Sequence, residues 1–110
     1  MHIKKSLPHE KFTKVDNRIF THRGLSDGAV RLYGFLASLP NGKTVLDAYI
    51  IKAMGVSQPV LTRRKKELKD AELILMVQLT PKVYDLYIGH TGMSAHAVKA
   101  VWEREHDEVR

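Results

Sequence analysis

Residues 44–73 read TVLDAYIIKAMGVSQPVLTRRKKELKDAEL. Two helix signals stand here with a turn between them. Thr44 and Asp47 are three apart, the arrangement of a capping box with Asp in place of Glu. The apolar positions Leu46, Ile50, Ile51 and Met54 then predict a short helix with one buried face. Gly55 ends it and supplies the left-handed backbone of a tight turn. Ser57 caps a second helix, and Pro59 suits its first turn, where amides have no helical partner. This helix is expected to run to about Ala71. At about 100° per residue, Val60, Leu61, Leu68 and Ala71 fall inward. Thr62, Lys66 and Lys69 fall outward with Arg63 beside them. Arg64 lies near the inward arc and is expected to fold back to an acidic partner or reach a phosphate.

The pattern changes after this stretch. Leu73 to Leu79 reads as a strand, Thr80, Pro81 and Lys82 as a tip, and Val83 to Ile88 as a second strand. In the second, Tyr84, Leu86 and Ile88 alternate against Val83, Asp85 and Tyr87. Gly89 and Gly92 break it. Ser94 starts a last helix with Ala97, Val98, Val101 and Trp102 on one side. Upstream, Ser26 is a good N-cap with Asp27 at the positive end of the helix dipole. Leu25, Ala29, Leu32, Tyr33, Leu36 and Leu39 follow at spacings of three and four, and Pro40, Asn41 and Gly42 stop the helix. Further back, Phe12 to Val15 reads as a short strand. Asp16 caps a turn expected to bury Ile19 and Phe20. Residues 1–11 read as a basic flexible arm. Residues 12–92 form the expected domain, and 93–110 a helix that closes the core or dimerises through Trp102.

A length of 110 residues fits one domain. The hydrophobic share of 44% and charged share of 27% are those of a globular chain. There is no cysteine, which excludes disulfides, thiolate metal sites and cysteine nucleophiles. No apolar run approaches a membrane span and no secretory signal opens the chain, so a cytoplasmic protein is expected. The net charge is +6. Residues 1–72 hold 14 Lys and Arg against 7 Asp and Glu, while residues 73–110 hold 4 against 5. Small basic proteins meet polyanions or acidic membranes. The basic run from Arg63 to Lys66 has too narrow an apolar side for a membrane-surface helix, which favours nucleic acid, with a solvated charged surface as the alternative.

No catalytic constellation emerges. The six histidines show no i, i+4 metal pair, and no carboxylate completes a ligand pattern. Ser94 near His96 has no sign of a triad, and there is no glycine-rich phosphate loop. Neither enzymatic activity nor a cofactor nor a metal is expected.

A short helix, a glycine turn, a second helix with a polar outer face and a hairpin follow one another here. In that order the chain resembles the winged helix-turn-helix superfamily of DNA-binding proteins. The residues that carry the likeness are Ile50, Ile51, Met54, Gly55, Val56, Ser57, Leu61, Arg63, Leu68, Leu73, Ile74 and Tyr84. The stretch Phe12, Asn17, Phe20, Leu25, Ser26, Ala29, Leu32, Tyr33 and Leu36 is similar to N-terminal domains of plasmid and phage replication proteins. Small accessory proteins of plasmid transfer show a similar layout. Two positions depart from the pattern. Lys65 stands where such helices often carry an apolar residue, and Glu72 where glycine usually closes the helix.

The fold class expected is therefore α+β, a three-helix core with a β-hairpin wing and a C-terminal helix. Thr62, Arg63 and Lys66 are expected to read base edges, since Arg forks onto guanine and hydroxyls bond base edges. Gln58 and Lys69 are expected to hold phosphates, although the Gln58 amide can also bond a base. Ser57 marks a helix N-terminus that can receive a phosphate. The resemblance implies a minor-groove or backbone contact for Lys82 at the wing. Lys4, Lys5, Lys11, Lys14, Arg18 and Arg23 form a second basic group, an arm that can follow the backbone or enter a minor groove; of these, Lys14, Arg18 and Arg23 are the expected DNA contacts. The resemblance also implies a sequence-specific binder of double-stranded DNA. Its expected role is a transcription regulator, or an accessory factor at a plasmid or mobile-element origin of replication or transfer. Partners would be a second copy and other proteins of a replication or transfer complex. The alternative from another class is a protein-interaction module whose basic face meets an acidic protein.

Overall fold

The computed structural model describes residues 1–5, 15, 17–40, 43–81, 83–90 and 93–107. Among them, the order is β1 (His2–Lys5), α1 (Asn17–Phe20), α2 (Asp27–Ala37), α3 (Asp47–Met54), α4 (Gln58–Asp70), β2 (Ile74–Thr80), β3 (Val83–Ile88) and α5 (Ala95–Asp107). The architecture is α+β, five helices and a three-stranded sheet of order β1-β3-β2.

The helix ends follow the local chemistry of the chain. The Ser26 hydroxyl accepts from the Ala29 amide at α2, and the Ser57 hydroxyl accepts from the Val60 amide at α4. Gly55 closes α3 at φ 68°, and the Gly55 and Val56 amides both donate to the Ile51 carbonyl. At the end of α4 the Leu73 amide donates to Leu68 and the Glu72 amide to Lys69, the two bonds of a Schellman motif. The left-handed position in that motif is Glu72, at φ 60°. A side chain there costs about 1–2 kcal/mol relative to right-handed backbone. Burial of Leu68 and Leu73, which bracket the turn, offsets it.

Both sheet faces are covered. Ile3, Ile74, Leu86 and Ile88 join Leu32, Leu36, Ile50, Leu61 and Leu68 in the main core, under α2, α3 and α4. On the opposite face, Tyr87 packs with Ala95 and Val98 of α5, flanked by Leu75, Val77 and Trp102. The alternation along β2 and β3 therefore serves two apolar layers. This is why Tyr87 is buried alongside Leu86 and Ile88, where a one-sided sheet would expose it. Helix α5 closes this second core within the chain.

The expected flexible arm is corrected for its first residues. β1 runs parallel to β3, with Ile3 opposite Leu86 and Lys4 opposite Tyr87. Its other edge pairs with the segment before α3. The Ile3 amide donates to Lys43 at 2.9 Å and the Val45 amide to Met1 at 2.6 Å. Alternation places Ile3 in the main core and Lys4 over the Trp102 ring, 4.2 Å from its centroid. The basic residues beside Ile3 hid a strand.

Three further expectations change. Phe20 is 63% exposed, because four-residue α1 turns only Ile19 inward. No capping box forms at α3. The N-cap is Leu46, 66% exposed and without a side-chain capping bond, while the Thr44 hydroxyl pairs with His2 Nδ1 at 2.9 Å. On α5, Ala97 is exposed, and Ala95 takes the inward place next to Val98. The strand expected at Phe12 to Val15 and the Asp16 cap lie outside the described residues, Val15 excepted.

Gly89 is fixed by crowding. A Cβ there would sit 2.5 Å from the Ala95 nitrogen and 2.7 Å from the Met93 oxygen, both backbone atoms that cannot swing aside. Its carbonyl also accepts the Tyr33 hydroxyl at 2.6 Å. Gly89→Ala is expected to cost about 1–3 kcal/mol through overpacking, read as a lowered midpoint in denaturant.

Candidate nucleic-acid interface

Helix α4 and its N-cap Ser57 carry six of the ten site residues that the sequence suggests. Its inward face is Leu61, Lys65 and Leu68, all buried. Its outward face is Thr62, Arg63, Lys66 and Lys69, all exposed, with Ser57 and Gln58 exposed at its N-terminal end. Spacings of four and three residues put Thr62, Lys66 and Lys69 in one row, with Arg63 alongside. Lys66 lies 3.7 Å from Asp70, a loose surface pair. Such a pair is worth about 0–1 kcal/mol, so it leaves Lys66 available to a stronger anion.

Two polar ties hold α4 against the other helices. The first answers the departure at Lys65. That residue is 8% exposed, and its ammonium donates to Asp47 Oδ1 of α3 at 2.6 Å. Asp47 Oδ2 in turn faces Gln58 Nε2 at 3.4 Å. Burial pushes the Asp47 carboxyl up, but the Lys65 bond and charge, with Gln58, outweigh it and hold the carboxyl below its usual range. The second tie is Glu67, which accepts the Ser26 backbone amide at 2.9 Å and the Ser26 hydroxyl at 2.8 Å. These bonds, backbone first, lower the Glu67 carboxyl, and Arg63 and Arg64 add to the effect.

Arg64 folds back, as its angle suggests, but onto a glycine. Its guanidinium lies across Gly28 of α2, so close that a Cβ at Gly28 would be 2.2 Å from Nε. Its Nη1 is buried and has no hydrogen-bond partner among the described residues. Glu67, the acid three residues further along α4, is bonded to Ser26 instead.

The two remaining groups divide. Arg23 is exposed three residues before Ser26, and the Ser26–Glu67 bonds bring that loop beside α4. Arg18 is exposed on α1, a separate element upstream of that loop. Lys14 and Lys82 lie outside the described residues. At the hairpin end, the register shifts between Gln78 and Thr80, and Gln78, Leu79, Thr80 and Pro81 are exposed.

Sequence reasoning missed Asp47 as a partner of α4, because its spacing from Thr44 read as a cap. The signal was present in two halves: a lysine at an inward helical angle, and an acid at the start of the helix packed against it. It also missed Arg31, whose Nη1 donates to the Met54 carbonyl at 3.1 Å and helps close α3.

Both lowered carboxylates have pKa values below those of the unfolded chain. Their stabilisation is present above the ordinary carboxylate range of about pH 4–4.5. It is lost as pH falls through the folded values. Thermal melts are expected to change little from about pH 7 to about pH 5 and to fall below that. Glu67→Gln should lower the neutral-pH midpoint and flatten the acid limb.

Among the described residues, no three His, Asp or Glu side chains come together as a metal site, and no helix is long and apolar enough to cross a membrane. Comparison with protein-family models, with curated proteins and with solved structures gave no match.

Proposed function

We propose that the chain is a winged-helix protein that binds double-stranded DNA sequence-specifically, with α4 in the major groove. The observation that carries this reading is the exposed row Thr62, Arg63, Lys66 and Lys69 on a helix whose other face is locked into the core. Helix α3, the turn at Gly55 to Ser57 and α4 supply a helix-turn-helix, and β2 and β3 supply the wing behind it. In this arrangement Thr62, Arg63 and Lys66 address base edges. Ser57 and Lys69 address phosphates, with Arg23 on the flanking loop. Gln58 stands between the two groups.

The role follows from the resemblance of the sequence. We propose a regulator or an accessory factor at a replication or transfer origin of a plasmid or other mobile element, acting in the cytoplasm without enzymatic activity. A homodimer through α5 belongs to the same proposal. It would appear as paired half-sites about one helical turn, ~34–36 Å, apart.

Selection of bound duplexes from a random pool at ~0.15 M salt, followed by sequencing, tests the reading. An enriched site supports it. Arg63→Ala is then expected to cost about 1–3 kcal/mol and to relax one base pair of that site. No detectable binding to any duplex would sink the proposal and turn the basic face towards an acidic protein partner.

A further inference from the structure

The two carboxylate oxygens of Asp47 have different partners. Oδ1 accepts the buried Lys65 ammonium at 2.6 Å, and Oδ2 faces Gln58 Nε2 at 3.4 Å. A carboxylate only accepts hydrogen bonds, so the end of the Gln58 amide turned towards it is the NH2. The same Nε2 lies 3.4 Å from Thr62 Oγ1. Both donor directions of the amide are thus spent on the protein surface, and the carbonyl oxygen Oε1 is the end left to a ligand. A free glutamine offers oxygen and NH2 together and bonds adenine with both. Gln58 is restricted to accepting.

We propose that Asp47 is a positioning residue that fixes Gln58 as an acceptor-only reader, so that Gln58 selects the exocyclic amine of adenine or cytosine over the carbonyl of guanine or thymine. This rests on α4 reading DNA as proposed above. In the major groove adenine N6 and cytosine N4 donate, whereas guanine O6 and thymine O4 accept. Every base pair carries one group of each kind, so the preference concerns which base stands on the strand that Gln58 faces. Lys65 contributes by occupying Oδ1, which keeps the Asp47 carboxylate from turning away.

Asparagine at position 47 reverses the logic without changing size. The Lys65 ammonium only donates, so it holds the asparagine oxygen and leaves the asparagine NH2 facing Gln58. Gln58 then turns its own oxygen inward and presents NH2 to the groove.

The test is the duplex selection performed with the wild type, Gln58→Ala and Asp47→Asn, with the fold of each checked by circular dichroism. Gln58→Ala is expected to relax one position. Asp47→Asn is expected to exchange adenine or cytosine at that position for guanine or thymine on the same strand. A folded Asp47→Asn with the wild-type preference overturns the inference, as does a uniform loss of preference at every position, the mark of a merely structural role. A Gln58→Ala that relaxes no position overturns it as well. Should Asp47→Asn not fold, base analogues bound to the wild type decide the same question. Removing the exocyclic amine at that position, with purine for adenine or 2-pyrimidinone for cytosine, should weaken wild-type binding about tenfold and leave Gln58→Ala unaffected. An equal loss on removing the partner base's carbonyl instead overturns the inference. A wild type that enriches no sequence defeats the DNA-reading proposal itself, an outcome distinct from all of these.

Discussion

Ile3→Ala is expected to destabilise the protein by about 2–5 kcal/mol, the range for truncating a fully buried aliphatic side chain. Ile3 is 0% exposed. It stands opposite Leu86 on β3, which stands opposite Met76 on β2, so the three form one row across the core face of the sheet. The strand that carries it is bonded on both edges, to β3 and to the segment before α3. The surroundings therefore cannot collapse freely into the space left behind, which favours the upper half of the range. In a domain of this size that loss lowers the melting midpoint by roughly 10 °C or more. A change within about 0.5 kcal/mol, as surface substitutions give, would contradict the placement of β1.

The second large effect concerns binding. Replacing Arg63, Lys66 and Lys69 together by alanine is expected to weaken DNA binding by more than about a hundredfold at ~0.15 M salt. Each phosphate neutralised contributes about −0.9 to the slope of log affinity against log salt. Lys69, the phosphate ligand among the three, should therefore account for a flattening of about 0.9, while the loss of Arg63 and Lys66 falls on base contacts. The fold should survive, since all three side chains are exposed. The ion pair that goes with Lys66 is a 3.7 Å surface contact to Asp70, worth about 0–1 kcal/mol. An unchanged salt slope in a folded triple variant would place the DNA contact elsewhere. Lys69→Ala alone separates the two kinds of contact, because a phosphate ligand weakens all sequences alike.

How far the sequence reached depends on which forces spoke through it. Helices α2 and α4 were legible because a 3.6-residue period and a capping serine point the same way at each. The hairpin was legible from its β-rich runs and the proline between them, and β3 matches its expected bounds from Val83 to Ile88. What escaped was set by long-range pairing. The edge of β3 and the segment before α3 together make a strand of His2 to Lys5, and nothing in a stretch with two lysines signals either partner. The face of Tyr87 is fixed by α5 arriving on the far side of the sheet. Asp47 was read locally, as a cap, while its partner lies 18 residues along the chain on another helix. The outward row on α4 was readable by angle alone. The side-chain ties that hold that row in place came from tertiary contact.

In the function proposed above, the outer face of α4 receives DNA. Backbone amide shifts, followed by NMR as the selected duplex is added, test it directly. The largest changes are expected on residues 57–69 and on the loop around Arg23, with α5 and the Tyr87 face of the sheet little affected. Changes centred on α5, or a protein whose spectrum no duplex alters, would contradict it.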